Sequence, residues 1–146
     1  VHMLHLIKLA VGVDSFSSLG KRQSAKLEKS AEFPGAQSLT YVTRNMPRRA
    51  DEILKGGSMY WVIKRFILAR QRITDIKASA DRRGKARCVL VLDPQLVRVL
   101  PRPHRPFQGW RYLGSTVAPE DDLRSDAGLD EIPPEMAGEL RRLGLL

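Results

Sequence analysis

The sequence is poor in most residues that carry recognisable chemistry. Among 146 residues there is one cysteine, there are three histidines, and aromatic residues make up 6%. A lone cysteine excludes a disulfide framework and any cysteine-rich zinc site. Cys88 lies in the strand-like run ARCVLVL, the setting of an inert small core residue rather than a nucleophile. His2, His5 and His104 are scattered without ligand spacing, so no metal is expected. No nucleophile elbow, Walker loop or dinucleotide-binding glycine pattern occurs, and no cofactor is expected. No run approaches the ~18 uncharged apolar residues of a membrane span, and no signal peptide is visible. These absences point to a soluble cytoplasmic protein without a membrane partner. Val1 and His2 precede a methionine and read as a cloning remnant, which places the natural start at Met3 and a single domain over 3–146.

What is present is positive charge, and it is uneven. The chain carries 25 Lys+Arg against 16 Asp+Glu, a formal charge of +9. Residues 1–43 hold a net +2 and residues 112–146 a net −5, whereas residues 44–111 hold 17 basic and five acidic side chains, a net +12. Thirteen of the 17 arginines lie in that middle segment. Arginine suits planar, two-point contact with phosphates and base edges. The plain alternative is a solvated basic face with no partner.

Residues Leu4 to Val13 alternate loosely, with Leu4, Leu6 and the stem of Lys8 on one side, and read as a strand. Asp14 and Ser15 offer an N-cap to a helix over 15–31 whose apolar stripe is Phe16, Leu19, Gln23, Leu27 and Ala31, with Lys21, Arg22, Lys26 and Lys29 in water. Leu39–Thr43 reads as a strand. Asn45 and Pro47 then introduce the short helix RRADEILK, which ends at Gly56-Gly57. The Gly56-Gly57-Ser58 turn could present amides to an anion, but a helix C-cap is the commoner use. Arg48 and Arg49 stand at the wrong end of that helix for its dipole, a broken local rule that hints at function.

Residues 59–76 fit either a helix or a strand pair. Their β-branched and aromatic content, and the placing of Arg70 and Trp61, favour strands. A turn at 80–85, strands at 86–92 and 96–100, a proline-rich loop PRPHRP (101–106) and a strand at 107–113 follow. Residues 114–132 read as an acidic loop, and Pro133-Pro134 opens a final helix. The expected class is α+β: a mainly antiparallel sheet or small barrel, with two N-terminal helices and a C-terminal helix.

Paired carboxylates are absent from the basic segment, which disfavours a hydrolase built on two acids. What remains is a basic surface interleaved with aromatics. Arg44, Arg48 and Arg49 form one cluster, and Tyr60, Trp61, Lys64, Arg70 and Arg72 a second. Arg102, His104 and Arg105, followed by Gln108, Trp110 and Arg111, form a third. Cations for phosphates and flat rings for bases are what nucleic acid requires. Both tryptophans could equally be core residues.

The runs HLIKLAVGVDS (5–15), TRNMPRRADEILKGGSMYWVIK (43–64), ARQRI (69–73), VLDPQLV (91–97), RPFQGWRYL (105–113) and PPEM (133–136) resemble a bacterial, mainly alphaproteobacterial, family known only as a domain of unknown function. The resemblance covers nearly the whole chain from Met3. It implies no activity, and it implies a glycine where Arg65 stands. More loosely, YWVIK leading into ARQRI and then FQGWRYL is similar to the PUA-like, ASCH and EVE RNA-binding barrels, an analogy at the level of fold.

Two functions of different class follow. In the first, the chain is a binding module for RNA or another polyanion. Eight of its arginines, Arg44, Arg48, Arg49, Arg70, Arg72, Arg102, Arg105 and Arg111, contact phosphates, and Trp61 or Trp110 stacks. In the second, it is an enzyme acting on a phosphorylated or anionic small molecule, with Asn45, Tyr60 or Gln108 orienting the substrate and Asp75 or Asp93 as base. A third possibility is an adaptor whose acidic tail meets a basic face. Convergence of the arginines in a cleft favours the enzyme, and an open stripe favours the binding module.

Overall fold

Six consecutive residues, Ser58–Ile63, are buried on both faces, and the rest of the sheet lies to either side of them. The computed structural model describes residues 3–30 and 39–122, excluding the side chains of 28–30. The elements run β1 (Leu4–Leu9), α1 (Phe16–Ser30), β2 (Leu39–Thr43), α2 (Ala50–Ile53), β3 (Ser58–Ile63), β4 (Phe66–Ala80), β5 (Ala86–Leu92), β6 (Val97–Pro103) and β7 (Trp110–Gly114). The expected C-terminal helix and residues 123–132 of the expected acidic loop lie outside the described residues.

The sheet order is β2-β5-β4-β3-β1-β7, with β6 also on β4. β1 and β3 run parallel and the other described pairs antiparallel, so the sheet is mixed rather than purely antiparallel. It is also open. β2 and β7 end the order and do not pair with each other, so no closed barrel forms among the described residues. The long β4 serves three partners, with β3 and β6 along its first half and β5 along its second. Register shifts interrupt each of these ladders, and bulges of this kind bend and twist a strand.

Residues 59–76 are strand, as their composition indicates, and β3 joins β4 through a two-residue turn. Both turn residues, Lys64 (φ 47°) and Arg65 (φ 71°), have positive φ, the pattern that matches a hairpin's twist and that usually recruits glycine or asparagine.

β7 covers Trp110–Gly114 where a strand over 107–113 is expected, and two further boundaries differ for local reasons. β1 stops at Leu9, because Gly12 takes a positive φ and the Val13 amide turns back onto the Ala10 carbonyl. β6 extends into the prolines expected to form a loop. Pro101 falls where the β4–β6 register slips, between the Ile67–Arg102 and Ala69–Arg98 pairs, so its missing amide interrupts no regular ladder.

Both faces of the sheet are covered. On one, Leu4, Leu6, Met59, Trp61, Ile63, Leu90 and Leu92 pack with Leu19 of α1. On the other, Ile7, Tyr60, Val62 and Ile67 pack with Val99 and Leu113. Ser15 caps α1 by accepting the Ser18 amide at 3.0 Å. The expected wet face of α1 holds for Lys21 and Arg22, but Lys26 lies 3.8 Å over the Tyr41 ring. Beneath the helix, Gln23 and Gln71 exchange two 2.7 Å hydrogen bonds, and Gln71 also accepts from the Trp61 indole at 2.9 Å. These buried polar groups are therefore fully partnered.

The second helix is a single turn. Arg49, not Asn45, is its N-cap residue, and it makes no side-chain cap. Its charge is instead held by Glu52 through contacts of 2.5 and 2.9 Å, which offsets the conflict with the helix dipole for Arg49, while Arg48 is exposed. Gly57 is required for packing: a Cβ there would stand 2.2 Å from the Leu4 carbonyl oxygen and 2.6 Å from that of Ile53. The turn is structural, since the Gly57 amide donates to Ile53 at 2.7 Å.

Candidate functional site

The unpaired ends of the sheet face one another across a groove of about 510 Å³, lined by Lys8, Val42, Thr43, Arg44, Asn45, Gln108, Gly109 and Trp110. Three short segments build it. Residues 42–45 continue off β2, residues 108–110 lead into β7, and Lys8 comes up from β1 between them. The indole of Trp110 donates to the Asn45 carbonyl at 2.8 Å and so bridges the two sides.

Lys8 is central to this groove. It stands opposite Trp61 on one neighbouring strand and Trp110 on the other. It also lines a second, smaller hollow of about 170 Å³ with Leu9, Val13, Leu19, Tyr41 and Trp61. Its amine has no hydrogen-bond or ion-pair partner among the described residues, and burial lowers its pKa from the usual lysine value. Arg44, exposed on the same groove, is likewise without such a partner among them. Among the described residues no carboxylate lines either cavity.

Of the residues the sequence singles out, Arg44, Gln108 and Trp110 from the basic and aromatic clusters line the groove, as does Asn45 from the enzyme reading. Arg48 and Arg49 are exposed at the start of α2, where the Arg49 amide donates to the Tyr112 hydroxyl at 3.2 Å and the guanidinium lies 5.7 Å from that ring. Tyr112 in turn meets Trp110 edge to face at 5.0 Å. Lys64 and Arg105 are exposed near the β3–β4 turn, to which the 104–105 segment is tied by the His104 amide donating to the Arg65 carbonyl. Arg111 sits on the other face of β7, 4.8 Å over the Phe107 ring. Arg72 is exposed opposite Ser58, at the end of the sheet away from Lys8. Arg102 is exposed, with its guanidinium bonded to the Val117 carbonyl.

Three expectations need correction. Trp61 is 2% exposed and Tyr60 5%, so neither ring offers a stacking face to a ligand. Arg70 is committed to a two-point ion pair with Asp121 at 2.6 and 2.7 Å, and it also donates to Ser58. That pair holds the 121 segment against β4, and the hydrogen bond from Arg70 keeps the Asp121 carboxyl below its usual range. Its role is structural.

The acids suggested as bases are also elsewhere. Asp75 pairs with Lys77 at 3.7 Å, Asp93 caps its own turn through the Gln95 amide, and neither lines either of these two cavities. Among the described residues no group of three or more His, Cys, Asp or Glu is placed to hold a metal ion, and no helix is long and apolar enough to cross a membrane. Cys88 is buried, and burial pushes its thiol up, away from the reactive thiolate form.

Sequence reasoning passes over Lys8 because it occupies a core-like strand, LHLIKL, where its stem reads as apolar filler. The usable signal is that a lysine interrupts a strand otherwise buried on both faces.

The fold and the groove together define an open, mixed-sheet α+β protein whose two sheet edges frame a cationic cleft. The chain belongs to the family described as "Protein of unknown function (DUF1489)", whose model matches residues 6–146. No curated protein and no solved structure matches it.

Proposed function

We propose that the groove binds single-stranded RNA or a comparable polyanion, with a phosphate between Lys8 and Arg44 and a base against Trp110. The observation that carries this reading is the pairing of two cations, free of anionic partners among the described residues, with an aromatic side chain in one cavity. Cations without carboxylates attract phosphate, and a partly exposed indole adds stacking worth ~1–3 kcal/mol per base.

The surroundings support a polymer rather than an isolated ion. β1 and β3 run parallel with Leu9 opposite Val62, so the β3–β4 turn lies at the same end of the sheet as Lys8. Residues 104–109 lead from that turn to the groove. Lys64, Arg65 and Arg105 at one end of this segment, and Lys8 and Arg44 at the other, form a track for consecutive phosphates, with Gln108 and Trp110 between them.

A second reading, binding and turnover of an anionic small molecule, fits the cavity volume, which is in the size range of ligand pockets. Among the described residues it finds no carboxylate in the groove to act as acid or base.

Fluorescence anisotropy with a labelled single-stranded RNA tests the proposal. Binding at low salt that weakens steeply as salt rises is expected, because bound phosphates release counterions. No binding at 50 mM salt, or a flat salt response, overturns it.

A further inference from the structure

We propose that Lys8 is a carbonyl-reactive amine and that the groove accepts a phosphorylated aldehyde, which Lys8 captures as an imine while Arg44 holds the phosphate. This reading shares the groove with the polyanion reading but not its ligand.

Three features of the site support it. Lys8 lines the groove floor, flanked in register by Trp61 and Trp110, so indole-bearing strands lie on both sides of the amine. No carboxylate partner holds its proton among the described residues, and none of those that line the two cavities it borders is an acid. A second cation, Arg44, lines the same groove and matches a phosphate on the substrate. A desolvated lysine beside another cationic group is a recognised setting for an amine nucleophile. Burial lowers its pKa, which raises the share of neutral amine near neutral pH.

The step balances without an oxidant or reductant. The Nζ lone pair of neutral Lys8 adds to the carbonyl carbon, the C=O π pair moves to oxygen, and a proton passes from nitrogen to that oxygen through solvent. The resulting carbinolamine loses water as the C=N bond forms, leaving an imine that is hydrolysed by the reverse path. Gln108 and the backbone around Gly109 lie on the same groove and can orient the hydroxyl that departs.

The test treats the full chain with pyridoxal 5′-phosphate, traps the adduct with sodium cyanoborohydride as hydride donor, and maps labelled peptides by mass spectrometry. Lys8 is expected to label on the order of tenfold faster than exposed Lys64 and Lys77. Inorganic phosphate should slow that labelling. Arg44→Ala should slow the phosphorylated reagent severalfold more than it slows unphosphorylated pyridoxal. Labelling of Lys8 at the rate of the surface lysines, or its absence, overturns the proposal. The circular dichroism of Lys8→Arg, a variant that keeps the charge and cannot form the imine, separates loss of the amine from loss of the fold.

The two readings also part in their pH trends. Imine formation strengthens as Lys8 loses its proton, whereas phosphate binding weakens. A chain that labels at Lys8 without binding RNA therefore defeats only the polyanion reading, and the converse defeats only this one.

Discussion

The Trp110 indole nitrogen donates to the Asn45 carbonyl oxygen at 2.8 Å, across a gap that no strand pairing spans. One side-chain bond thus fixes the spacing of the two edges that frame the groove, and the same side chain supplies its flat surface. Trp110→Phe removes the donor and keeps a ring. Asn45 retains a second donor in the Thr43 hydroxyl at 3.2 Å, so the expected loss of stability is about 0.5–1.5 kcal/mol. RNA affinity should fall little in this variant, while Trp110→Ala should lose ~1–3 kcal/mol of binding. Urea unfolding and anisotropy titration read the two effects separately.

Lys8 and Arg44 are expected to act on phosphate as point charges. Replacing either by alanine should reduce the slope of log K against log salt by about 0.7, the value for one contact to a single strand. Because burial lowers the Lys8 pKa, its contribution should disappear at a lower pH than that of an exposed lysine. The wild-type protein should accordingly weaken with rising alkaline pH while Lys8→Arg does not.

His5 gives stability its own pH dependence. The ring is buried, its Nδ1 accepts the Ser58 amide at 2.9 Å, and Tyr60 meets it edge to face at 5.1 Å. Burial first, and then the nearby Arg70 charge, lower its pKa below 6.5. The unfolded chain therefore binds a proton that the folded chain refuses. The stability this gives is present above pH 6.5 and is lost as pH falls from there toward the lower folded value. Urea midpoints at pH 7.5 and pH 5.5 should show the fall, and His5→Asn, which keeps an acceptor but cannot titrate, should flatten it.

Two backbone positions should respond in opposite directions. Gly57→Ala forces a Cβ against two carbonyl oxygens held by their own elements, and is expected to cost about 2–3 kcal/mol, at the upper end for overpacking. Arg65 holds a positive φ in an exposed turn, so Arg65→Gly should stabilise by roughly 0.5–1 kcal/mol as local strain is relieved. Thermal or urea denaturation measures both.

The strands from 58 to 92 could be read from β-branched content and turn residues because each element reports its own local chemistry. The helix-like period over 59–76 misleads for a physical reason: residues 59–63 are buried on both faces and all apolar or aromatic, so that stretch fits any period. Strand order was not legible, since the parallel β1–β3 pair and the partnership of β4 with three strands depend on contacts distant in sequence. The site was half legible for the same reason. Arg44, Gln108 and Trp110 stand out as polar or aromatic residues in a basic segment, but only the fold brings them to Lys8. By sequence Arg70 and Trp61 are equally suitable, and only the fold sets Asp121 and Gln71 beside them.

The central claim is that the groove, rather than diffuse positive charge, holds the polyanion. Anisotropy titration of one labelled single-stranded RNA against three proteins tests it: the wild type, Lys8→Ala/Arg44→Ala, and Lys55→Ala/Arg72→Ala. The last pair removes the same charge from exposed positions that do not line the groove. A loss on the order of tenfold for the groove variant, with the distant variant within about twofold of wild type, is the predicted result. Equal losses in the two variants would contradict the account.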